Sequence, residues 1–215
     1  MSTSLVYRTA LGYELVMRIL YGRHYSERLR AVAAEVPEGA SVLELCCGPG
    51  TLHSRCLRGR VRSYVGVDLN ERFVMALRRR GVDARVLDLS RDEQPLPSAE
   101  VVVMQASLYQ FLPEAAAVVD RMLTAATDRV IISEPIRNLA SSANPLIRAV
   151  GRRSADPGAG TGEQRFTEGS LEALMARYRN LQLKQGLIPG GREKLYVLRA
   201  PDPPPARRSD TEAGS

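Results

Sequence analysis

Five short apolar runs alternate with helical stretches across the first two thirds of the chain, at residues 41–47, 64–69, 83–89, 101–106 and 129–133. Each is too short for a buried helix. The 101–106 run is rich in valine, as suits a strand covered on both faces. Between them, 51–57, 71–80 and 113–126 carry helical patterning. Asn70 can cap the second of these, and Gly81 can end it in a left-handed conformation. This alternation predicts a doubly wound α/β domain, a mostly parallel sheet with helices on both faces. Two further apolar runs, 181–188 and 193–200, flank Pro189-Gly190-Gly191-Arg192, a hairpin signal that adds one antiparallel strand.

The flanks read differently. Residues 5–35 are helical, with Leu11, Leu15 and Ile19 in one stripe beside Val16 and Leu20, and Ser26 suited to cap a second helix. Pro37-Glu38-Gly39 breaks this region. Asn138–Arg148 forms a short predicted helix, Arg152-Arg153 sit in a Gly/Ser-rich loop, and Ser170 is the expected cap of a helix over 171–179. The chain thus divides into a helical cap at 1–36, a core domain at 37–200 and a disordered tail at 201–215.

No apolar run nears the roughly 18 residues of a membrane span, and Arg8 and Arg18 interrupt any leader-like segment, so the expectation is a cytoplasmic protein away from membranes. Net charge is +6, and only Lys184 and Lys194 among the 30 basic residues are lysine. The arginines are dispersed. Their one triple, Arg78-Arg79-Arg80, complements a helix dipole. Cys46, Cys47 and Cys56 lack the spacing of a zinc or dithiol site, and Cys46 and Cys47 read as small buried residues.

Chemistry concentrates at the first strand-to-helix turn, Glu44-Leu45-Cys46-Cys47-Gly48-Pro49-Gly50. His53 stands where a dinucleotide fingerprint has its third glycine, and no Gly-Lys-Ser/Thr follows, so neither phosphate-binding motif is present. Glu44 inside the strand repels a pyrophosphate and suits a cationic ligand. Asp68 ends the second strand, where a carboxylate accepts hydrogen bonds from both ribose hydroxyls. Asp88 ends the third predicted strand, within reach of an adenine amino group.

Together these segments resemble the class I S-adenosylmethionine-dependent methyltransferases over roughly residues 37–200. The resemblance implies a seven-stranded Rossmann-like sheet with the last strand antiparallel, and S-adenosylmethionine as cofactor. By that resemblance Glu44, Gly48 and Gly50 line the methionine part, and Cys46 is a further cofactor-binding position. Asp68 holds the ribose, with Leu69 beside it as a cofactor-binding position; Asp88 and Leu89 flank the adenine; Gln105 and Ala106 lie below the sulfonium. The family often has glycine where Cys46 stands. Asn/Asp-Pro-Pro-Tyr/Phe is absent after the fourth strand, and Gln105 and Glu134-Pro135 occupy the positions of metal-binding acids, so no metal is expected. Ile132-Ser133-Glu134-Pro135-Ile136-Arg137-Asn138 looks like stretches in small bacterial methyltransferases.

The sequence therefore reads as an enzyme that transfers methyl to a small-molecule acceptor, on O or N, by in-line displacement. An RNA or protein methyltransferase and a non-catalytic cofactor-binding partner subunit are the alternatives. Tyr109, in the loop after the fourth strand, can face the transferred group. His24, with Tyr21 and Tyr25 beside it, suits a general base near neutral pH. His53 reads as structural. Oligomeric state leaves no trace in the sequence.

Overall fold

The centre of the sheet is β1 (Ser41–Leu45), whose side chains are almost entirely removed from solvent. The computed structural model describes residues 24–136 and 165–202, with Arg18 and Gly22. The N-terminal apolar stripe, Tyr21, the 138–148 helix, Arg152-Arg153 and residues 203–215 lie outside the described residues. In chain order the elements are α1 (His24–Ala33), β1, a helical turn passing into a π-helix (His53–Leu57), β2 (Ser63–Asp68), α2 (Glu71–Arg79), β3 (Asp83–Val86) and β4 (Ala99–Gln105). A 3-10 turn (Leu108–Phe111), α3 (Ala115–Ala125), β5 (Ala126–Pro135), α4 (Glu168–Met175), a second 3-10 stretch (Ala176–Leu181), β6 (Gln182–Leu187) and β7 (Glu193–Arg199) follow.

The sheet has seven strands in the order β3-β2-β1-β4-β5-β7-β6. β1 to β5 pair in parallel, and β7 runs antiparallel to both β5 and β6. Strand order reverses between β1 and β4, which opens a crevice beyond their carboxyl ends, where ligands bind in doubly wound sheets. The two-residue period of a strand sorts the core into two layers. Leu43, Leu45, Val102, Met104, Val130, Ile132 and Tyr196 face one side, where α3 adds Val119 and Met122 and α4 adds Leu171 and Met175. Val42, Val101, Val103, Ile131 and Val197 face the other, against Tyr25, Leu29 and Val32 of α1.

Several boundaries differ from expectation: α1 begins at His24, so Ser26 lies within the helix and does not cap it. β3 stops at Val86, so Asp88 lies in a turn past the strand, where its Oδ1 accepts hydrogen bonds from the Ser90 amide and hydroxyl at 3.0 and 2.5 Å. An edge strand has only one neighbour to extend it, and here the aspartate's local turn wins. β5 starts at Ala126, directly after α3, because its pairing with β4 continues back to Ala99. α4 begins at Glu168 with Thr167 as its cap; Ser170, the expected cap, is the third helical residue and completes a reciprocal capping box with Thr167. Asn70 and Gly81 act on α2 as expected. Among the described residues no helix is long and apolar enough to cross a membrane.

Candidate active site

After β1 the backbone turns through three left-handed residues at alternate positions, Cys46 (φ 52°), Gly48 (φ 55°) and Gly50 (φ 72°). At Gly50 a side chain is disfavoured twice, by the positive φ and because a Cβ there would lie 2.5 Å from Leu77 Cδ2, which would have to move. At Gly48 the space is open, with nothing within 4 Å of an added Cβ. Asp68 holds this turn. Its Oδ2 accepts from the Gly48 amide at 2.7 Å and its Oδ1 from the Asn70 amide at 2.8 Å. Each carboxylate oxygen keeps a further lone pair for a ligand hydroxyl. Burial raises the Asp68 pKa, and the two amide bonds oppose that rise.

Under the turn, Glu44 is 3% exposed. It accepts hydrogen bonds from the Tyr64 hydroxyl at 2.7 Å and from Gln105 Nε2 at 3.0 Å. Burial pushes its pKa up to about 7. The Gln105 Oε1 atom is buried with no hydrogen-bond partner. Ala106 adopts φ 50° and donates its amide to the Ser133 carbonyl at 2.7 Å, which bends the chain away at the end of β4. Cys46 thus occupies a left-handed position that costs an L-residue about 1–2 kcal/mol. Its thiol, like that of Cys47, is raised in pKa first by burial, which makes it a poor nucleophile. His53 stacks on Tyr64 at 4.3 Å between ring centroids.

Glu44, Cys46, Gly48, Gly50, Asp68, Gln105 and Ala106 therefore meet at one edge of the sheet, the carboxyl ends of β1, β2 and β4. Leu69 follows Asp68 and is 47% exposed, whereas Leu89 packs into the core. Tyr25 is a core residue on the α1 side, and Tyr109 belongs to the opposite layer, so the fold does not bring these two tyrosines together. His24 pairs through Nδ1 with Glu27 at 2.5 Å and packs beside Gly190 of the β6–β7 hairpin.

A further set of polar residues lies at the same edge, of which the sequence marked only Glu134, and that one as a departure from a metal-binding pattern. Glu134, at the end of β5, is fully buried and accepts the amides of Leu108 and Tyr109 at 2.9 and 3.4 Å. It fixes the start of the 3-10 turn, whose own cap residue Ser107 makes no capping bond. Burial, with Glu193 nearby, pushes its pKa up to about 8. Glu193 on β7 accepts from Arg28 Nε at 2.9 Å and from the Ser133 hydroxyl at 2.7 Å. The guanidinium of Arg165 lies 3.6 Å from the centroid of the Tyr109 ring. An acid closing an apolar run was the signal available for Glu134, the same signal that marks Asp68. Nothing local marks Arg28, Arg165 or Glu193.

The family model described as "Methionine biosynthesis protein MetW" matches residues 26–139, more than half of the chain. The chain belongs to the MetW family. Trans-aconitate 2-methyltransferase of Mycolicibacterium gilvum (strain PYR-GCK) is 44% identical over 95 residues, covering 43% of this chain. The match spans 35% of that curated relative's length. Magnesium protoporphyrin IX methyltransferase from Synechocystis PCC 6803, with bound S-adenosylhomocysteine, superposes with a TM-score of 0.60 at 15% identity, over 91% of this chain and 97% of that one. N-methyltransferase NodS from Bradyrhizobium japonicum WM9, in complex with the same compound, gives 0.59 at 14% identity, over 88% and 98%. At such identities the likeness is one of fold, and the strand order agrees: this MetW-family chain has the class I S-adenosylmethionine-dependent methyltransferase fold.

Proposed function

We propose that the protein transfers a methyl group from S-adenosylmethionine to a small-molecule acceptor, without a metal, by in-line displacement. The observation that carries this reading is the glycine turn clamped by Asp68, with open space above Gly48 at the switch point of the sheet. The residues present fit the cofactor. Gly48 leaves room for close approach to the backbone, Asp68 keeps lone pairs for ribose hydroxyls, and the orphaned Gln105 Oε1 is an acceptor without a donor. The curated relative is itself named as a methyltransferase of a small molecule.

S-adenosylmethionine, when bound, supplies an already activated methyl group. The protein's task is then to align the acceptor and exclude water, which accounts for an active site without a nucleophile–base pair. Asp68 and the turn hold the nucleoside end. Glu44, fixed by Tyr64, keeps Gln105 in place beneath the methionine end. Tyr109 stands on the acceptor side. Burial raises its pKa, so at neutral pH its hydroxyl donates a hydrogen bond and does not abstract a proton.

Calorimetric titration with S-adenosylhomocysteine tests the reading. One-to-one micromolar binding is expected, and Asp68→Ala should weaken it at least tenfold. Because Asp68 also holds two backbone amides, Asp68→Asn serves as the milder variant and should fall between. Unchanged affinity in Asp68→Ala removes the ribose assignment, and no binding by the wild type removes the methyl-transfer reading.

A further inference from the structure

The stacked pair Arg165–Tyr109 is the remaining chemistry-bearing feature at the carboxyl edge. Tyr109 is 8% exposed, and its backbone is fixed by Glu134 through two amide bonds at the start of the 3-10 turn. Arg165 immediately precedes Phe166, which is buried in the core, and Thr167, which caps α4. Tyr109 is therefore anchored through its own backbone, and Arg165 through the two residues that follow it. A guanidinium stacked on a ring keeps its in-plane N–H donors free at the rim, where they match the two oxygens of a carboxylate.

Charge at this edge points the same way. Arg28 is neutralised by Glu193, and Lys194 by Glu168 and Glu172. Among the described residues no carboxylate lies within ion-pair distance of Arg165. The nearby acid, Glu134, is turned toward backbone amides, and burial favours its neutral form. Net positive charge is thus left on a rigid aromatic platform beside the Gln105–Ala106 turn.

We infer that Arg165, held on Tyr109, is the binding residue for a carboxylate of the acceptor, so that the substrate class is small organic acids. This deepens the methyl-transfer reading and rests on it for the word acceptor. The test is a titration of the full chain, saturated with S-adenosylhomocysteine, with trans-aconitate, succinate and benzoate, and with the trimethyl ester of trans-aconitate as neutral control. At least one carboxylate should bind, and the ester should not. Arg165→Gln should weaken carboxylate binding at least tenfold while leaving S-adenosylhomocysteine affinity within twofold, and Arg165→Lys should recover only part of the loss. Absence of binding by all three acids overturns the inference. So does equal binding of the ester, or undiminished binding in Arg165→Gln. The same titrations without S-adenosylhomocysteine separate the two readings: failure of the nucleoside compound to bind counts against methyl transfer, whereas the carboxylate arm still reports on Arg165.

Discussion

Gly48 and Gly50, two residues apart on either side of Pro49, do different work in this protein. Gly48 and Gly50 both lie at positive φ, yet only Gly50 is crowded, with Leu77 filling the place of its absent side chain. Substituting alanine should therefore separate folding from binding. Gly50→Ala combines left-handed strain with a clash and should cost about 2–4 kcal/mol of stability. Gly48→Ala should cost about 1 kcal/mol, from strain alone. It should weaken S-adenosylhomocysteine more than tenfold, since the new methyl enters the space the cofactor needs. Denaturant melts and calorimetry on both variants check this; equal stability losses would contradict it. At the same scale, Cys46 is the third left-handed residue of the turn. It holds φ 52° without being glycine, in a conformation that L-residues rarely adopt.

At the scale of elements, the boundaries that moved are those where a local preference met a stronger partner. Ser170 has the right chemistry for a cap, but Thr167 takes that role and Ser170 donates its hydroxyl back to it. Both residues are good caps, and Phe166, buried just before Thr167, fixes which of them enters first. Thr167→Ala should accordingly cost about 1 kcal/mol. Because Arg165 is two residues upstream, the same variant should loosen the Arg165–Tyr109 stack. Amide exchange across 165–171 would register both effects, and unchanged protection would count against the cap. β3 shortened for the opposite reason: on an edge, with Val86 43% exposed, little burial opposed the Asp88 turn.

Across the whole molecule, two fully enclosed carboxyl groups couple stability to pH. Glu44 and Glu134 have folded-state pKa values near 7 and 8, above the ordinary value of 4.5. Between about pH 4.5 and 8 the folded protein then holds protons that the unfolded chain has released. Their stabilising contribution is complete below that window and is lost as pH rises through it. Glu134→Gln, which cannot ionise, should gain on the wild type as pH rises from 5 to 8. Chemical unfolding at a series of pH values reads this directly, and a constant difference would show that Glu134 does not titrate there.

Strand and helix alternation, the hairpin, the glycine turn, Glu44 and Asp68 could all be read along the chain. Each depends on residues close together in sequence, where periodicity, turn chemistry and strand-end position leave a local mark. The anchoring of Tyr109 by Glu134, the stack of Arg165 on its ring and the Arg28–Glu193 pair belong to the tertiary structure alone. Arg28 and Glu193 are separated by 165 residues. Such a pair is chosen by where two elements pack and by the cost of burying a charge without its partner, and neither acts until the sheet has assembled. The same holds for His24 and Tyr25. They are neighbours in sequence, but the face that α1 turns to the sheet sends Tyr25 into the core and leaves His24 with Glu27.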